Sequence, residues 1–364
     1  MINTQTEKAA TGEIGMPICD FAEIYAAQNS IRLHMPGHKG VSDESFISRL
    51  NAYDITEIEG ADYLYEPSGI IKQSEIIAAK VMGVPYTFYS TEGSTLCIKA
   101  MLALACKPGG KVIALTNAHR AFSDGCKLLG LTPVWIEDIK ALPAALAGYP
   151  EAAAVYLTSP DYLGEMIDIR ETAKLVKEEY GRTLLHDCAH GAYLFLTDKK
   201  AYTDGADLIC CSAHKTLPCL TGGAYLHVKN EAFAQKAAAA MKPFASTSPS
   251  YLTLCSLDYL NKIAASKEFL TGLAETIKKT EHLKKTFSID TEEPLKICFK
   301  PGDGYREILA KYKIVPELIN DNLIVLMFSP KNSERDFAAV YKVLSEMKIS
   351  PAERKQKIQF IYTE

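Results

Sequence analysis

Between Tyr86 and Val228 the chain alternates short apolar runs with longer segments that are apolar on one face. Tyr86–Ser90 is aromatic and β-branched and predicts a strand. Thr95–Cys106, rich in Ala, Leu and Met, predicts a helix. After the turn at Pro108-Gly109-Gly110 come a strand over Val112–Leu115, a helix over His119–Leu129 that Gly130 ends, and a strand over Pro133–Ile136. Ala153–Leu157 is a further strand, stopped by Ser159-Pro160. In the next helix Asp168 is the N-cap, Glu171 stands three residues on as in a capping box, and Gly181 follows the last turn. Ile169, Ala173, Val176 and Tyr180 share one of its faces. Leu184–His186, Leu208–Cys211 and Ala224–Val228 complete the set of brief apolar strands.

Strands that alternate with helices need crossover connections, so the sheet is expected to be mostly parallel, with helices on both faces. The expected class is α/β, with a three-layer α/β/α large domain. After Glu231 the pattern becomes helical to about Phe287, with interruptions near Pro243 and Pro249. Strand (Leu295–Phe299), helix (Tyr305–Lys311), strand (Leu323–Phe328) and helix (Ser333–Met347) follow, which predicts a small α+β domain. The expected division is an N-terminal segment over 1–60, a large domain over 61–285 and a small domain over 286–364.

Composition narrows the function classes. The 364 residues are 48% hydrophobic and 23% charged, the balance of an ordinary globular protein. Forty basic against forty-four acidic side chains give −4, which argues against a nucleic-acid surface. Ten cysteines without a CxxC pair suit reduced, mostly buried thiols better than a disulfide scaffold. Met1–Gly15 is polar and does not read as a secretory signal. No apolar run reaches the roughly 18 residues of a membrane span. A cytoplasmic protein without nucleic-acid or membrane partners is therefore expected.

In an open α/β sheet, ligands bind beyond the carboxyl ends of the strands. The segments found there are Thr91-Glu-Gly-Ser-Thr95, Asn117-Ala-His119, Thr158-Ser-Pro160, Asp187-Cys-Ala-His190 and Ser212-Ala-His-Lys-Thr216. Gly93, Ser94 and Thr95 at a helix start offer backbone N–H groups and hydroxyls to a phosphate, although such a segment can equally be a plain N-cap. Asp187 at the end of a buried strand needs a cationic partner, either a structural Arg or Lys or a protonated ring nitrogen. Lys215 after another apolar strand is a candidate nucleophile if desolvated, and otherwise a lysine whose head snorkels to solvent. Together these are the parts of a pyridoxal phosphate site, which needs a lysine for its Schiff base and an aspartate to hold the pyridine nitrogen protonated.

Longer motifs carry a family resemblance: Leu33-His-Met-Pro-Gly-His-Lys39, Asp54-Ile-Thr-Glu57, Glu66-Pro-Ser-Gly-Ile70, Gly93-Ser-Thr95, Thr158-Ser-Pro160, Asp187-Cys-Ala-His-Gly-Ala192, Ser212-Ala-His-Lys-Thr-Leu-Pro218 and Ser246-Thr-Ser-Pro-Ser-Tyr251. The chain resembles the Orn/Lys/Arg decarboxylase family (major domain) of fold-type I pyridoxal phosphate enzymes, over roughly residues 30 to 345 as judged by eye. The resemblance implies the aspartate aminotransferase-like fold and release of carbon dioxide and an amine from lysine, ornithine or arginine, through an external aldimine and a quinonoid. It implies that Lys215 forms the internal aldimine, Asp187 pairs with the pyridine nitrogen, His119 stacks on the ring and Ala189 lines its other face. Ser94, Thr95, Ser212 and His214 would bind or flank the phosphate, and His190 would cover or support the site. Thr247 and Ser248 would reach the phosphate of a second copy in a homodimer. By the same resemblance the amine product would serve polyamine biosynthesis.

Some positions depart from the family. Glu92 stands where the family often has Asn, and a carboxylate beside a phosphate must point away or be paired. Leu96-Cys97 replaces small and amide residues. The N-terminal receiver-like and long C-terminal domains of larger members have no counterpart in this sequence. Asp54, Glu57, Glu66 and Asp161 are candidates to meet a substrate's distal cation. Cys188 is expected nearest the site and open to thiol reagents. Another pyridoxal phosphate reaction, such as transamination, racemisation or elimination, and a non-catalytic coenzyme-binding homologue are the alternatives. A metal site from His186, Asp187, His190 and His214, or from His34 and His38, is set aside: His186 and Asp187 point to opposite faces of a strand, and no HExxH occurs.

Overall fold

A computed structural model describes residues 14–28, 30, 32, 35–36, 38–41, 45 and 47–351. Of the Leu33–Lys39 motif, Leu33, His34 and Gly37 lie outside the described residues. The chain divides into two compact units, one of residues up to 158 and 168–266, the other of 159–167 and from 267 on.

The first unit is built on seven strands: β1 (Tyr86–Ser90), β2 (Lys111–Leu115), β3 (Thr132–Ile136), β4 (Ala152–Thr158), β5 (Thr183–Asp187), β6 (Leu208–Cys211) and β7 (Ala224–Val228). They run in the order β1-β7-β6-β5-β4-β2-β3. The pairs among β2 to β6 are parallel, and β7 is antiparallel to both β1 and β6. This is the mostly parallel α/β sheet expected from the apolar runs. Its central strands β5 and β6 are buried along nearly their whole length, as a sheet covered on both faces requires.

The helices of this unit are α1 (Pro17–Ala27), α2 (Ile70–Met82), α3 (Gly93–Ala105), α4 (Arg120–Leu129), α5 (Leu142–Gly148), α6 (Ile169–Ala173), α7 (Ala213–Thr216), α8 (Glu231–Met241) and α9 (Tyr251–Ala265). Asp168 caps α6 by accepting from the Glu171 N–H at 2.9 Å. The reciprocal half of the expected capping box is replaced, because the Glu171 carboxylate takes Lys174 Nζ at 2.7 Å. The chain then continues as a π-helical turn over Lys174–Glu179.

Two helices that the apolar pattern leaves unassigned depend on carboxylates outside their own N-cap positions, one a few residues upstream and one far along the chain. Asp62, with φ of 67°, accepts from the N–H groups of Ser68, Gly69, Ile71 and Lys72, and so holds the first turn of α2. Asp258, fully buried on α9, accepts from Ile18 and Cys19 N–H at 3.0 Å each and from Ser74 Oγ at 2.5 Å. Asn261 and Tyr89 extend that network through Ser74.

The second unit contains α10 (Lys267–Thr286), α11 (Tyr305–Tyr312), α12 (Glu334–Glu346) and a four-stranded antiparallel sheet. The sheet order is β11 (Ser350–Pro351), β8 (Lys296–Lys300), β10 (Ile324–Met327), β9 (Leu318–Ile319). The unit starts at Lys267 rather than at the expected residue 286. The reason is that Leu283 of α10 is buried in one core with Ile297, Phe299, Ile324 and Val343. Ser159–Ile167 also belongs here, since Lys296 Nζ donates to the carbonyls of Asp161 and Tyr162. Among the described residues, no helix is long and apolar enough to cross a membrane.

Burial is the largest influence on Asp258 and pushes its carboxyl up to about 6, against the opposing pull of its donors. A folded-state value above the unfolded one means that the folded chain binds the extra proton. Its contribution is therefore full below about pH 4 and lost as pH rises through about 6. Urea unfolding should show the wild-type stability falling relative to Asp258→Asn by up to about 3 kcal/mol between those limits. A difference independent of pH would contradict a buried acid at this position.

Candidate active site

The carboxyl ends of β5 and β6 and the start of α3 meet at one edge of the sheet. Glycine opens the site: Gly93 has φ of 70°, and its N–H donates to Gly222 O at 2.7 Å. Gly222 has φ of 96°, and a Cβ there would lie 2.4 Å from Thr91 O. The two glycines thus bring the first turn of α3 against the segment before β7. Ser90 Oγ donates to Gly93 O at 2.9 Å and tightens the turn. Ser94 is buried, and its Oγ lies 2.8 Å from Ser212 Oγ, while Thr95 is exposed. His214 is fixed by Gly223 O, which lies 3.0 Å from its Nδ1 and accepts from its backbone N–H at 3.1 Å. The Ser94 and Ser212 hydroxyls, the His214 imidazole and the N-terminal turn of a 13-residue helix are therefore the kind of donor set that suits a phosphate.

Asp187 ends β5 and is 1% exposed. Tyr156 Oη donates to its Oδ2 at 2.7 Å, while Ala189 N–H and Cys210 Sγ donate to its Oδ1 at 3.1 and 3.3 Å. Lys215, in the short α7 after β6, has its Nζ 3.1 Å from His190 Nε2, with His190 itself 5% exposed. His119 caps α4: its Nδ1 accepts from Ala121 N–H at 3.1 Å, which places the ring proton of the neutral form on Nε2. Solvent reaches this ring, yet the desolvation by the surrounding protein lowers its pKa, with Asp187 opposing and Lys215 adding to the shift. Gly93, Ser94, Thr95, His119, Asp187, Ala189, His190, Ser212, His214 and Lys215 thus all lie in the segments that follow the strands of one unit.

Thr247 and Ser248 are exposed on the segment between α8 and α9. Glu92 Oε1 accepts from Ser246 N–H at 2.7 Å, so this carboxylate is spent on a backbone partner. Of the carboxylates considered for a distal cation, Asp54 meets His38 Nε2 at 3.1 Å and Glu66 meets Lys242 Nζ at 2.6 Å. Asp161 lies in the second unit and accepts from Leu163 and Glu165 N–H. Glu57 is exposed, with its charge near Tyr251. Cys188 is fully buried, so the expected access of a thiol reagent requires the core to open. Among the described residues, no three His, Cys, Asp or Glu side chains converge as a metal site would need.

The sequence reading missed Tyr156, Cys210 and Gly222. Tyr156 pairs in register with Leu185, and Thr158 with Asp187, so Tyr156 shares the face of Asp187 one step back. Only the order of the strands shows this.

This sheet, with β7 reversed among parallel neighbours and a lysine and a carboxylate following adjacent strands, is the fold of fold-type I pyridoxal phosphate enzymes. Residues 16–303 match the family described as Orn/Lys/Arg decarboxylase, major domain, and the chain belongs to that family. It is 29% identical to the uncharacterized protein YaaO of Bacillus subtilis (strain 168), over 88% of this chain and 75% of that one. It is 26% identical to the arginine decarboxylase of the same organism, over 89% and 75%. The constitutive lysine decarboxylase of E. coli superposes with a TM-score of 0.76 at 15% identity, covering 92% of this chain. The chain spans 60% of the length of that lysine decarboxylase. The family's coenzyme is pyridoxal phosphate, and the donor set around Gly93, Ser94 and Ser212, the buried Asp187 and the Lys215 amine fit it.

Gly222→Ala should lose about 2 kcal/mol or more in a denaturant titration, because the new methyl meets Thr91 O on a backbone that favours glycine. The variant should also bind pyridoxal phosphate more weakly than wild type. Unchanged stability and affinity would show that the glycine contact is not needed to shape the site.

Proposed function

We propose that the chain is a pyridoxal phosphate-dependent decarboxylase of a basic amino acid, with arginine, lysine and ornithine as the candidate class. The observation that carries the proposal is the parallel pairing of β5 with β6, which delivers Asp187 and Lys215 to the same sheet edge beside the Ser94–Ser212 hydroxyl pair. When bound, the coenzyme supplies an electron sink for the pair released as the Cα–carboxylate bond breaks.

The chain's own residues have the following roles. Lys215 Nζ would hold the coenzyme, with His190 Nε2 orienting the amine. Asp187 would accept a hydrogen bond from the coenzyme's protonated ring nitrogen. His119, with its lowered pKa, presents an uncharged ring face at neutral pH. Ala189 leaves room on the opposite face because its side chain is a single methyl group. Gly93, Ser94, Thr95, Ser212 and His214 hold the phosphate. Thr247 and Ser248, exposed on the segment that Glu92 fixes, complete the phosphate site of a second copy in a homodimer. The partnerships of Asp54 and Glu66 with cationic side chains, and the two N–H groups that Asp161 accepts, leave Glu57 as the candidate for the substrate's distal cation.

Lys215→Ala should abolish the borohydride-reducible attachment of the coenzyme and the release of carbon dioxide from a basic amino acid. Mass spectrometry of the reduced, digested protein checks the first directly. A reducible link at any other lysine would sink the assignment of Lys215.

A further inference from the structure

Asp187 is held by more than its position on the strand. A carboxylate offers about four lone-pair directions. Here three are filled from three different places: Tyr156 Oη on β4 at 2.7 Å, Cys210 Sγ on β6 at 3.3 Å, and the Ala189 N–H just past β5 at 3.1 Å. The strand neighbours on both sides therefore grip the carboxylate, which leaves one direction for a further donor.

Tyr156 makes the short, charge-assisted contact of the three. It is fully buried, with its ring packed on Phe122 at a centroid distance of 4.3 Å. The hydroxyl is thus confined by packing and cannot turn to water. Burial, reinforced by the Asp187 charge, pushes the phenol's pKa upward, so it remains a donor at any working pH.

We infer that Tyr156 is a positioning residue for the coenzyme's electronics. Its hydroxyl fixes Asp187 Oδ2 so that the remaining acceptor direction meets the ring nitrogen, and the donated hydrogen bond keeps the negative charge on the carboxylate and the proton on the ring. The inference rests on reading the site as a pyridoxal phosphate site. No bond is made or broken at Tyr156. The proton shared by the ring nitrogen and Asp187 is the only one whose place depends on it.

The test uses the full-length protein loaded with coenzyme labelled with ¹⁵N in the ring, whose chemical shift reports protonation. In Tyr156→Phe the signal should move toward the unprotonated position at neutral pH. The kcat for the amino acid turned over should fall about tenfold, with KM changed by less than about twofold. 3-Fluorotyrosine in place of Tyr156 is a stronger donor of nearly unchanged volume and should move the signal the other way. A residue that merely fills space would move neither signal. An unmoved ring signal in loaded Tyr156→Phe overturns the inference. If that variant does not fold, an unmoved signal with fluorotyrosine overturns it instead. Failure of the wild type to take up coenzyme at all would defeat the reading of the site, a separate result.

Discussion

A carboxylate buried to 1% exposure at the end of a central strand is the constraint around which the sheet edge is arranged. Leaving such a charge without donors costs several kcal/mol, so its surroundings must supply them. β4 and β6 do so through Tyr156 and Cys210, and the turn after β5 does so through the Ala189 N–H. The register that aligns Thr158 with Asp187 and Asp187 with Cys210 is therefore a chemical requirement as well as a packing one. A slip by one residue would send Tyr156 to the opposite face and leave Asp187 without its closest donor.

The same logic recurs at the edge of the unit. Asp258 and Asp62 each satisfy the orphan N–H groups of a helix whose own N-cap supplies no side-chain acceptor. Asp258 does this for α1 from about 240 positions away. It also receives Ser74 from α2, so one buried acid joins α1, α2 and α9. Glu92 serves the Ser246 backbone in a similar way, which resolves how a carboxylate can precede a segment of phosphate-binding character. Its charge is committed to an N–H of the segment that bears Thr247 and Ser248.

Where the fold was legible in the sequence, local signals sufficed. The apolar runs at Tyr86, Val112, Ala153, Leu184, Leu208 and Ala224 each became a strand to within a residue or two, because burial on both faces removes any need for alternation. The helices α1 and α2 were not legible, since their caps come from Asp258 and Asp62 rather than from the residues just before them. The two-residue strands β9 and β11 exist only through pairing with β10 and β8. Among the candidate site residues, Gly93, Asp187 and Lys215 stand out in the sequence because each lies at or within a few residues of the end of an apolar run. Tyr156 could not, because within Ala153–Leu157 it looks like any other core aromatic until β4 is known to lie beside β5.

The central claim is that this edge of the sheet, with Asp187 at the end of β5 and Lys215 in α7 just after the adjacent β6, directs an electron pair out of a Cα–carboxylate bond. Its most direct test is to incubate the coenzyme-loaded protein with arginine, lysine and ornithine, each ¹³C-labelled at the carboxylate, and to quantify both products. The account predicts labelled carbon dioxide and the corresponding amine in equal amounts from at least one of the three. A keto acid in place of the amine, or intact label from all three with coenzyme bound, would contradict it.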